Sequence, residues 1–247
     1  MSVPNPEREL RDRTRRGFLT LAGGALGGLG LLSWVRSREL DDGTPYPFRR
    51  VLEMNEKLAR EYFSSEHRSR EYPVSSAASN PRVNGSIGLE DDAAVDEWKL
   101  TVNGPAGRGT QLLTLQDIRA LPKVEQVTEL NCIEGWTEIV HWGGARFRDF
   151  SAIFAQEWQR EPYVGLQTPD EEYYVGLDMP SALHPQTLLC YEMNGKPLAM
   201  AHGAPLRLVV PVKYGVKNIK RIGKITYSAV RTEDYWAREG YDWYAGL

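Results

Sequence analysis

The 247-residue sequence predicts an α+β domain, because short strand-like segments alternate with a few amphipathic helical segments. Alternating or continuous apolar runs recur from Trp98 onward, and Asn194-Gly195 separates two of them. An Asn-Gly pair in that setting is the strongest short-range signal for a β-hairpin. Hydrophobic residues make up 41% of the chain and charged residues 26%, as in an ordinary globular protein with one sizeable domain or two small ones.

The N-terminal residues resemble an export signal. Residues 1–16 are polar and basic and end in Arg13-Thr14-Arg15-Arg16, whereas residues 17–35 are apolar and rich in glycine. The paired arginines resemble a twin-arginine signal, which implies export of a folded protein to the periplasm or the outer face of the inner membrane. No Ala-x-Ala cleavage site follows Val35, and the apolar run is long enough to span a bilayer. An uncleaved membrane anchor therefore stays open.

The chain divides into four predicted segments. Residues 1–36 form the signal or anchor, 37–96 an N-terminal extension, 97–230 the main domain and 231–247 an aromatic C-terminal tail. Within the extension, residues 51–63 have helical apolar spacing. Residues 64–96 are rich in Ser, Asn, Pro, Gly and acids, and we predict a long loop there.

The main domain is predicted to contain eight strands and two helices. Thr114, with Asp117 three residues later, is typical of a helix N-cap, and this helix should reach Leu121. A second helix is predicted at 150–158, with Ile153, Phe154 and Trp158 on one side, and Trp142-Gly143-Gly144 predicts a break before it. The predicted strands are 98–102, 124–130, 163–168, 173–177, 188–193, 197–200, 206–212 and 222–227.

The chain has only two cysteines, too few for a disulfide framework. Cys190 lies in an apolar run and is predicted to be a core residue. Cys132 ends a predicted strand shortly before Gly135, where its side chain can point into a cleft. Three interpretations remain open from the residues alone. Cys132 is an inert buried thiol, a nucleophile paired with one of the four histidines, or a soft metal ligand whose partners come from a cofactor.

The charge pattern suggests an anion site but not a nucleic-acid partner. The net charge of -3 gives no reason to expect nucleic acid. Arg207 enters a predicted buried strand, so it needs either a carboxylate or a bound phosphate as partner. Residues 213–220 place Lys213, Lys217 and Lys220 around Gly215, which is either a solvated face or a flexible anion-binding loop.

Two separated motifs resemble the sulfite-oxidase-fold molybdopterin enzymes. Cys132-Ile133-Glu134-Gly135-Trp136, followed by His141-Trp142-Gly143-Gly144, resembles their molybdenum-ligating segment. Residues 201–215 resemble their pterin-binding segment, and the branch of greatest resemblance is that of the periplasmic protein-methionine-sulfoxide reductase catalytic subunits. The resemblance spans roughly residues 98–227. It implies a mixed-sheet molybdopterin-binding domain and a molybdenum-dependent oxidoreductase.

The resemblance also implies roles for individual residues. Cys132 matches the thiolate ligand of molybdenum, and Arg207 the phosphate-binding arginine. His202 stands where the reductase branch has asparagine, although other relatives of this fold have histidine there. Glu134, Trp136 and Tyr214 are candidates for the substrate pocket. The implied cofactor-binding residues are Asn84, Cys132, Thr168, His202, Arg207, Asn218, Ile219 and Lys220.

The function implied is reduction of S-oxides such as protein methionine sulfoxide by oxygen-atom transfer. An acid and an aromatic residue follow Cys132 where sulfite-oxidising enzymes have a basic segment, which argues against sulfite. No CxxCH haem motif is present, so electrons should come from a membrane haem or quinol-linked protein. The dimerisation domain of sulfite oxidases is missing, which predicts a monomer. The alternatives are a sulfite-type dehydrogenase, a cysteine hydrolase using Cys132 with His141 or His202, and a non-catalytic exported binding module.

Overall fold

A computed structural model describes residues 6–41, 44–89 and 95–247. The chain forms two compact units, Met1–Val51 and Leu52–Leu247. The first unit contains helix α1 (Pro6–Arg36) and the paired short strands β1 (Leu40–Asp41) and β2 (Thr44–Pro45). Within α1, Gly17–Arg36 is long and apolar enough to cross a membrane, a property that signal sequences share. The four-segment division stays a prediction.

The predicted helix of the N-terminal extension is confirmed, although it begins earlier than residue 51. Helix α2 runs from Tyr46 to Tyr62. The described part of the predicted long loop, residues 64–89 and 95–96, holds short 3-10 turns at Val74–Ser76 and Val95–Glu97 and no other helix or strand. Residues 90–94 of this prediction lie outside the described residues.

The second unit is built on two five-stranded sheets, and the predicted α+β class with a mixed sheet is confirmed. Sheet I is antiparallel and consists of β5 (Lys123–Asn131), β6 (Thr137–Arg146), β9 (Leu188–Met193), β10 (Lys196–Pro197) and β11 (Arg207–Val209). Sheet II has the order β4 (Thr110–Leu113), β3 (Leu100–Asn103), β12 (Lys224–Ser228), β7 (Tyr163–Gln167) and β8 (Tyr174–Asp178). It is mixed because β12 pairs parallel to β3 and antiparallel to β7.

Four further helices are short: α3 (Leu115–Arg119), α4 (Phe147–Phe154), α5 (Met179–Ala182) and α6 (Tyr235–Arg238). The predicted N-cap of α3 is confirmed. The Thr114 side chain accepts a hydrogen bond from the Asp117 backbone N–H, and the Asp117 carboxylate accepts one from the Thr114 N–H. The two bonds satisfy two N–H groups that have no partner within the helix.

The predicted β9–β10 hairpin is also confirmed. Asn194 and Gly195 have φ values of 53° and 69°, which is the backbone conformation of a tight hairpin turn. The second strand is much shorter than the predicted 197–200. After Pro197 the chain leaves the sheet and forms a 3-10 turn at Met200–His202.

The predicted break at Trp142-Gly143-Gly144 is wrong, because β6 continues through these residues. The pairing with β9 shifts register between Gly143 and Gly144. A Cβ at Gly144 would overlap the backbone of Leu189, so the glycine allows two strands to approach closely. The glycines therefore mark a bulge within a strand.

The second predicted helix is displaced toward the N-terminus. Helix α4 spans Phe147–Phe154, so Trp158 lies beyond its end, where its ring packs against Tyr227. Ile153 is 66% exposed and does not share a buried side with Phe154. Phe147 and Phe150 are the buried aromatic residues of this helix.

Sheet I separates two apolar clusters, because successive side chains of a strand point to opposite faces. From β9, Leu189 and Tyr191 join the main core that also includes the buried residues of sheet II. Leu188 and Cys190 point the other way into a smaller cluster with Val140 and Trp142 of β6. The predicted core position of Cys190 is confirmed. The smaller cluster borders a cavity on this face of the sheet.

Candidate functional site

A cavity of about 290 Å³ lies on the second face of sheet I. Its floor consists of side chains from this sheet, and its walls come from six other parts of the second unit. These are the turn between β5 and β6, a strap of residues 78–89, Tyr173 before β8, the 3-10 turn Met200–His202, residues 215–220 and the C-terminal segment. The cavity is lined by Pro81, Arg82, Asn84, Gly85, Ile87, Leu130, Cys132, Ile133, Glu134, Trp136, Glu138, Val140, Trp142, Tyr173, Met193, His202, Arg207, Gly215, Val216, Asn218, Lys220, Trp236 and Tyr241.

Cys132 lies where the sequence pattern places it, directly after strand β5. Asn131 and Thr137 are cross-strand partners, so residues 132–136 form the turn of a long hairpin. The Cys132 N–H donates to the Trp136 carbonyl at 2.9 Å, and the Gly135 N–H donates to the Cys132 carbonyl at 3.0 Å. Gly135 has a φ of +87°, a conformation that favours glycine. This compact turn holds the half-buried thiol at the cavity wall.

The strap brings Asn84 next to the thiol. The Asn84 side-chain amide lies 3.6 Å from the Cys132 sulfur, in donor geometry. Lys220 Nζ donates to the backbone carbonyls of Asn84, Gly85 and Ala201 at 2.5, 2.9 and 2.9 Å. Burial, together with the nearby Arg207, lowers the pKa of Lys220 to about 8. In this structure Lys220 thus fastens the strap, and its three N–H groups point at carbonyls.

Arg207 is a buried cation on the cavity floor. It alternates with Leu208, which faces the main core, so the guanidinium faces the cavity side of sheet I. Its NH₂ groups donate to the carbonyls of His202 and Asn218 at 3.1 and 3.2 Å, while Nε has no hydrogen-bond partner. Burial lowers the pKa of Arg207 to about 10. The Arg207 guanidinium lies 4.9 Å from the centre of the Trp142 ring.

The hydrogen bonds and ion pairs of the described residues give Arg207 no carboxylate partner. The sequence left open either a carboxylate or a bound phosphate as the partner of Arg207, and the carboxylate is not found among the described residues. A buried cation with an unsatisfied N–H is costly unless an anion binds it. The cavity floor consequently has the charge and geometry of an anion site.

At the cavity mouth Glu134, Trp136 and Arg82 contact one another and form one group. The Trp136 indole N–H donates to Glu134 Oε2 at 2.9 Å. The Arg82 guanidinium lies 4.8 Å from the centre of the Trp136 ring. The Arg82 backbone N–H also donates to Glu138 Oε2 at 2.7 Å. The three side chains from hairpin and strap therefore hold one another in place.

The two histidines considered as partners of Cys132 differ in position. His202 lines the cavity, and burial together with Arg207 and Lys220 lowers its pKa, which favours a neutral imidazole. His141 does not line the cavity, and its Nε2 lies 3.2 Å from Glu125 Oε2.

Residues 213–220 form neither a solvated face nor an anion-binding loop to which all three lysines contribute, the two alternatives that the sequence left open. Lys213 and Lys217 are each 1% exposed and point away from the cavity. Lys217 Nζ lies 2.5 Å from Asp234 Oδ2 and 2.9 Å from the Gly176 carbonyl. Lys213 Nζ lies 2.8 Å above the Tyr244 ring and 3.9 Å from Asp178 Oδ1. Only Lys220 of the three lysines lines the cavity.

Three of the predicted site residues do not line the cavity. Thr168 is buried behind the strap, and its hydroxyl donates to Asp170 Oδ1 at 2.5 Å. Ile219 packs in the main core. The Tyr214 carbonyl accepts from the Asn218 side chain at 3.2 Å, and Asn218 Oδ1 in turn accepts from the Val210 N–H. Tyr214 therefore lies next to the cavity and supports one of its lining residues.

The sequence reasoning missed three aromatic side chains of the cavity wall, Tyr173, Trp236 and Tyr241. Trp236 and Tyr241 pack edge to face with ring centres 5.2 Å apart. The Tyr173 hydroxyl donates to the Val216 carbonyl at 2.7 Å, and its ring lies 5.4 Å from that of Tyr235. The density of aromatic residues after Glu233 was the available signal.

Residues 87–236 match the family described as oxidoreductase molybdopterin binding domain, which is more than half of the chain. The chain belongs to this molybdopterin oxidoreductase family. It is accordingly a molybdenum-dependent oxidoreductase, and the predicted family, enzyme class and cofactor are confirmed. The hydrolase and non-catalytic alternatives are set aside.

The curated proteins that are similar to the chain are of two kinds. It is 32% identical over 257 residues to the "Putative protein-methionine-sulfoxide reductase subunit YedZ1" of Azospira oryzae, covering 99% of this chain and 96% of that protein. It is 31% identical over 180 residues to the protein-methionine-sulfoxide reductase catalytic subunit MsrP of Campylobacter jejuni, covering 66% and 60%. For MsrP of Xanthomonas campestris, identity is 32% over 152 residues, covering 56% and 47%. The chain thus spans less than two thirds of these two catalytic subunits.

Among solved structures, the sulfane dehydrogenase SoxCD from Paracoccus pantotrophus is similar to this chain. The TM-score is 0.51 over 58% of this chain and 41% of that chain, with 16% sequence identity. At this identity the likeness shows the fold alone.

The residues of the cavity fit the cofactor of the family. Among the described residues no group of three or more His, Cys, Asp and Glu side chains is placed to hold a metal ion. Cys132 offers one soft sulfur ligand at the wall. Arg207 offers an unsatisfied buried N–H to an anionic group such as a phosphate.

Proposed function

We propose that this chain reduces S-oxides, with the methionine sulfoxide side chain of a polypeptide as its substrate. The observation that carries the proposal is the wall beside the Cys132 thiol, which includes Glu134 and several aromatic side chains. Such a wall suits an apolar thioether group better than a small dianion. The names of the relatives, at 31–32% identity, support the same substrate class.

Cys132 supplies the protein's sulfur ligand to molybdenum, and Arg207 binds the phosphate of the pterin. Asn84 and His202 contact the cofactor from the strap and from the turn before β11, and Asn218 and Lys220 from the segment after it. Thr168 and Ile219 act through their backbone or through neighbours, since their side chains do not line the cavity. These assignments rest on the sequence motifs and on the positions of the side chains around the cavity.

When bound, the molybdenum cofactor supplies two-electron oxygen-atom transfer. The overall reaction takes a sulfoxide, two electrons and two protons to a thioether and water. Trp136, Trp236 and Tyr241 contact the apolar part of the substrate and exclude water from it. Glu134 lies at the exposed mouth, where it can take up a proton from solvent and release it into the cavity.

Electrons come from a haem or quinol-linked membrane protein. The twin-arginine segment carries the folded protein across the inner membrane, and Gly17–Arg36 then remains as its anchor. Retention is favoured because no Ala-x-Ala site follows Val35. The chain acts as a monomer on the outer face of that membrane.

A second candidate is a sulfite-type dehydrogenase, and one observation favours it. Arg82 lies on the cavity wall, stacked on Trp136, where a guanidinium can bind a small oxyanion. The two candidates separate in the variant Arg82→Gln. It should leave sulfoxide turnover within about threefold, whereas a sulfite enzyme should lose about 1.5–3 kcal/mol of binding, roughly a 10- to 100-fold rise in KM.

The test is to purify the chain from a host that makes the cofactor and to measure molybdenum, pterin and turnover. We expect about one molybdenum per chain, oxidation of a reduced viologen dye by N-acetylmethionine sulfoxide, and no reduction of an acceptor by sulfite. Cys132→Ser should lose the metal and keep the unfolding midpoint of the metal-free protein. A loaded protein that oxidises sulfite and ignores sulfoxides would overturn the proposal.

A further inference from the structure

Helix α2 (Tyr46–Tyr62) carries an exposed apolar stripe, at the end of which the Tyr62 ring lies 5.2 Å from the His67 ring. Met54, Leu58 and Tyr62 are 55%, 56% and 71% exposed. Their spacing of four residues places them on one side of the helix, and Val51 continues the same line one turn earlier. Large apolar side chains in a contiguous exposed row mark a binding surface more often than a chance feature.

The side of α2 that faces the protein is a different one. There Glu56 pairs with Arg60 at 3.0 Å and with Arg231, and Ala59 lies next to Gly246. Arg60 also stacks over the Tyr244 ring at 5.2 Å. The helix therefore attaches to the second unit through a mixed polar side, and its apolar stripe points outward.

The third side of α2 carries charges of both signs. Glu53, Lys57 and Glu61 are exposed, and Lys57 lies 3.9 Å from Glu61. A helix with an apolar side flanked by charged residues suits the boundary between lipid headgroups and acyl chains. Since the flanking charges are mixed, a zwitterionic lipid surface is sufficient and an anionic one is not required.

The sequence places this stripe close to the candidate membrane span. Gly17–Arg36 ends shortly before α2 begins at Tyr46, and the intervening residues 37–45 can extend over at most about 35 Å. Trp34, Arg36 and Arg38 mark the end of the span with the aromatic and basic residues typical of a membrane interface. An anchored chain thus presents α2 to lipid at high local concentration.

We infer that the Met54–Leu58–Tyr62 stripe of α2 binds the surface of the lipid bilayer. The inference rests on the proposed retention of Gly17–Arg36 as an anchor. It adds a second, peripheral attachment that fixes how α2 meets the membrane. The occupant is lipid, and a protein partner on the stripe is the competing outcome of the test.

The test compares two methionines of the full chain in phosphatidylcholine and phosphatidylethanolamine vesicles. Met54 is 55% exposed on the stripe, and Met200 is 40% exposed on the 3-10 turn Met200–His202. Chloramine-T, an anionic oxidant that stays in water, converts accessible methionine to its sulfoxide, which mass spectrometry locates. Without an electron donor the enzyme does not reverse the oxidation. We expect Met54 to oxidise at least about tenfold more slowly than Met200.

Two matched variants distinguish lipid contact from other protection. Leu58→Glu places a charge in the stripe and should bring the two oxidation rates within about twofold. Ile153→Glu makes the same change at an apolar helix residue that is 66% exposed elsewhere, and should leave Met54 protected. Protection that needs an added membrane extract would assign the stripe to a protein partner and overturn the inference.

The anchor is measured separately by flotation of the vesicles after an alkaline carbonate wash. Flotation with equal oxidation of Met54 and Met200 would overturn only the stripe and leave the anchor intact. Loss of the chain from the vesicles would overturn both the anchor and the stripe. The viologen-dye assay of the purified chain needs neither the anchor nor the stripe, so the proposed reaction stands or falls on its own test.

Discussion

The segment from Arg207 to Lys220 has two sides that treat positive charge in different ways. On the cavity side, Arg207 and Lys220 have no carboxylate partner among the described residues and donate only to backbone carbonyls. On the opposite side, Lys217 lies 2.5 Å from Asp234, and Lys213 lies over the Tyr244 ring near Asp178. Both sides are largely buried.

The difference separates cations that lie near a buried carboxylate from cations that have no carboxylate partner among the described residues. A buried cation with a buried carboxylate stabilises the folded chain only as a pair, whereas a cation without one raises the free energy of the ligand-free protein. Burial alone does not distinguish the two sides, since Arg207 is 3% and Lys217 is 1% exposed. The partner does.

The largest effect should follow from breaking the pair on the opposite side. Lys217→Met leaves Asp234 buried and unpaired, so we expect the free energy of unfolding to fall by about 3–5 kcal/mol. Urea denaturation of the cofactor-free protein measures this. The double variant Lys217→Met/Asp234→Asn should recover most of the loss, because asparagine can still accept from the Ala237 N–H and cap α6. A loss below about 1 kcal/mol in the single variant would contradict the assignment.

On the cavity side, Arg207→Met should weaken cofactor retention and spare the fold. Loss of a charge-assisted contact to phosphate corresponds to about 1.5–3 kcal/mol, or roughly 10- to 100-fold in affinity. The unfolding free energy of the cofactor-free variant should change by less than about 1 kcal/mol, because removal of a buried unpaired charge offsets the loss of two hydrogen bonds to carbonyls. Equilibrium dialysis and urea denaturation give the two values. Arg207→Lys retains the charge without the planar pair of guanidinium donors, and its cofactor affinity should lie between those of the wild type and Arg207→Met.

Lys213 should respond with the opposite sign to Lys217, because its ammonium lies 3.9 Å from Asp178 Oδ1 and makes no hydrogen bond to that carboxylate. Burial lowers its pKa from an ordinary 10.5 to about 7. The folded protein therefore holds this proton less tightly than the unfolded chain, and the resulting penalty is full below pH 7 and fades as pH rises toward 10.5. Lys213→Met should raise the unfolding free energy by about 1–3 kcal/mol at pH 6–7. Denaturation at a series of pH values should show the gain shrinking toward pH 10, and a gain independent of pH would contradict it.

The smallest effect concerns the strap. Lys220→Met removes three charged hydrogen bonds to the carbonyls of Asn84, Gly85 and Ala201. We expect backbone amides of residues 79–89 to exchange with deuterium about tenfold faster, which is about 1.4 kcal/mol of local stability. Lys224→Met is the matched control, since Lys224 pairs with Glu171 away from the strap. Unchanged exchange in Lys220→Met would show that other contacts hold the strap.

Local sequence signals were enough to predict several elements of the fold. The Thr114 cap, the Asn194-Gly195 turn and the strand before Cys132 depend on residues within a few positions of each other. The same holds for Arg207, whose place at the start of a buried strand already required a partner. The family motifs extended this to the fold class and the cofactor.

The rest depends on residues far apart in the chain. Asp178 and Asp234, which face Lys213 and Lys217, lie on β8 and beside α6, so no local pattern could show that the two lysines are buried. The break expected at Gly143 and Gly144 became a bulge because Leu189 of another strand approaches there. Trp236 and Tyr241 reach the cavity wall only through the packing of the C-terminal segment.

The β5–β6 hairpin has a consequence for how the family can vary in length. The two strands pair at nine consecutive positions, from Lys123–Ala145 to Asn131–Thr137. This register determines where the Cys132 thiol lies in the turn. An insertion or deletion of one residue in either arm would turn Cys132 to the other face of the sheet. Active relatives should therefore keep the two arms in matched length and place their insertions in the turn or beyond Lys123. The number of residues before Cys132 therefore constrains the site as much as the identity of the residue does.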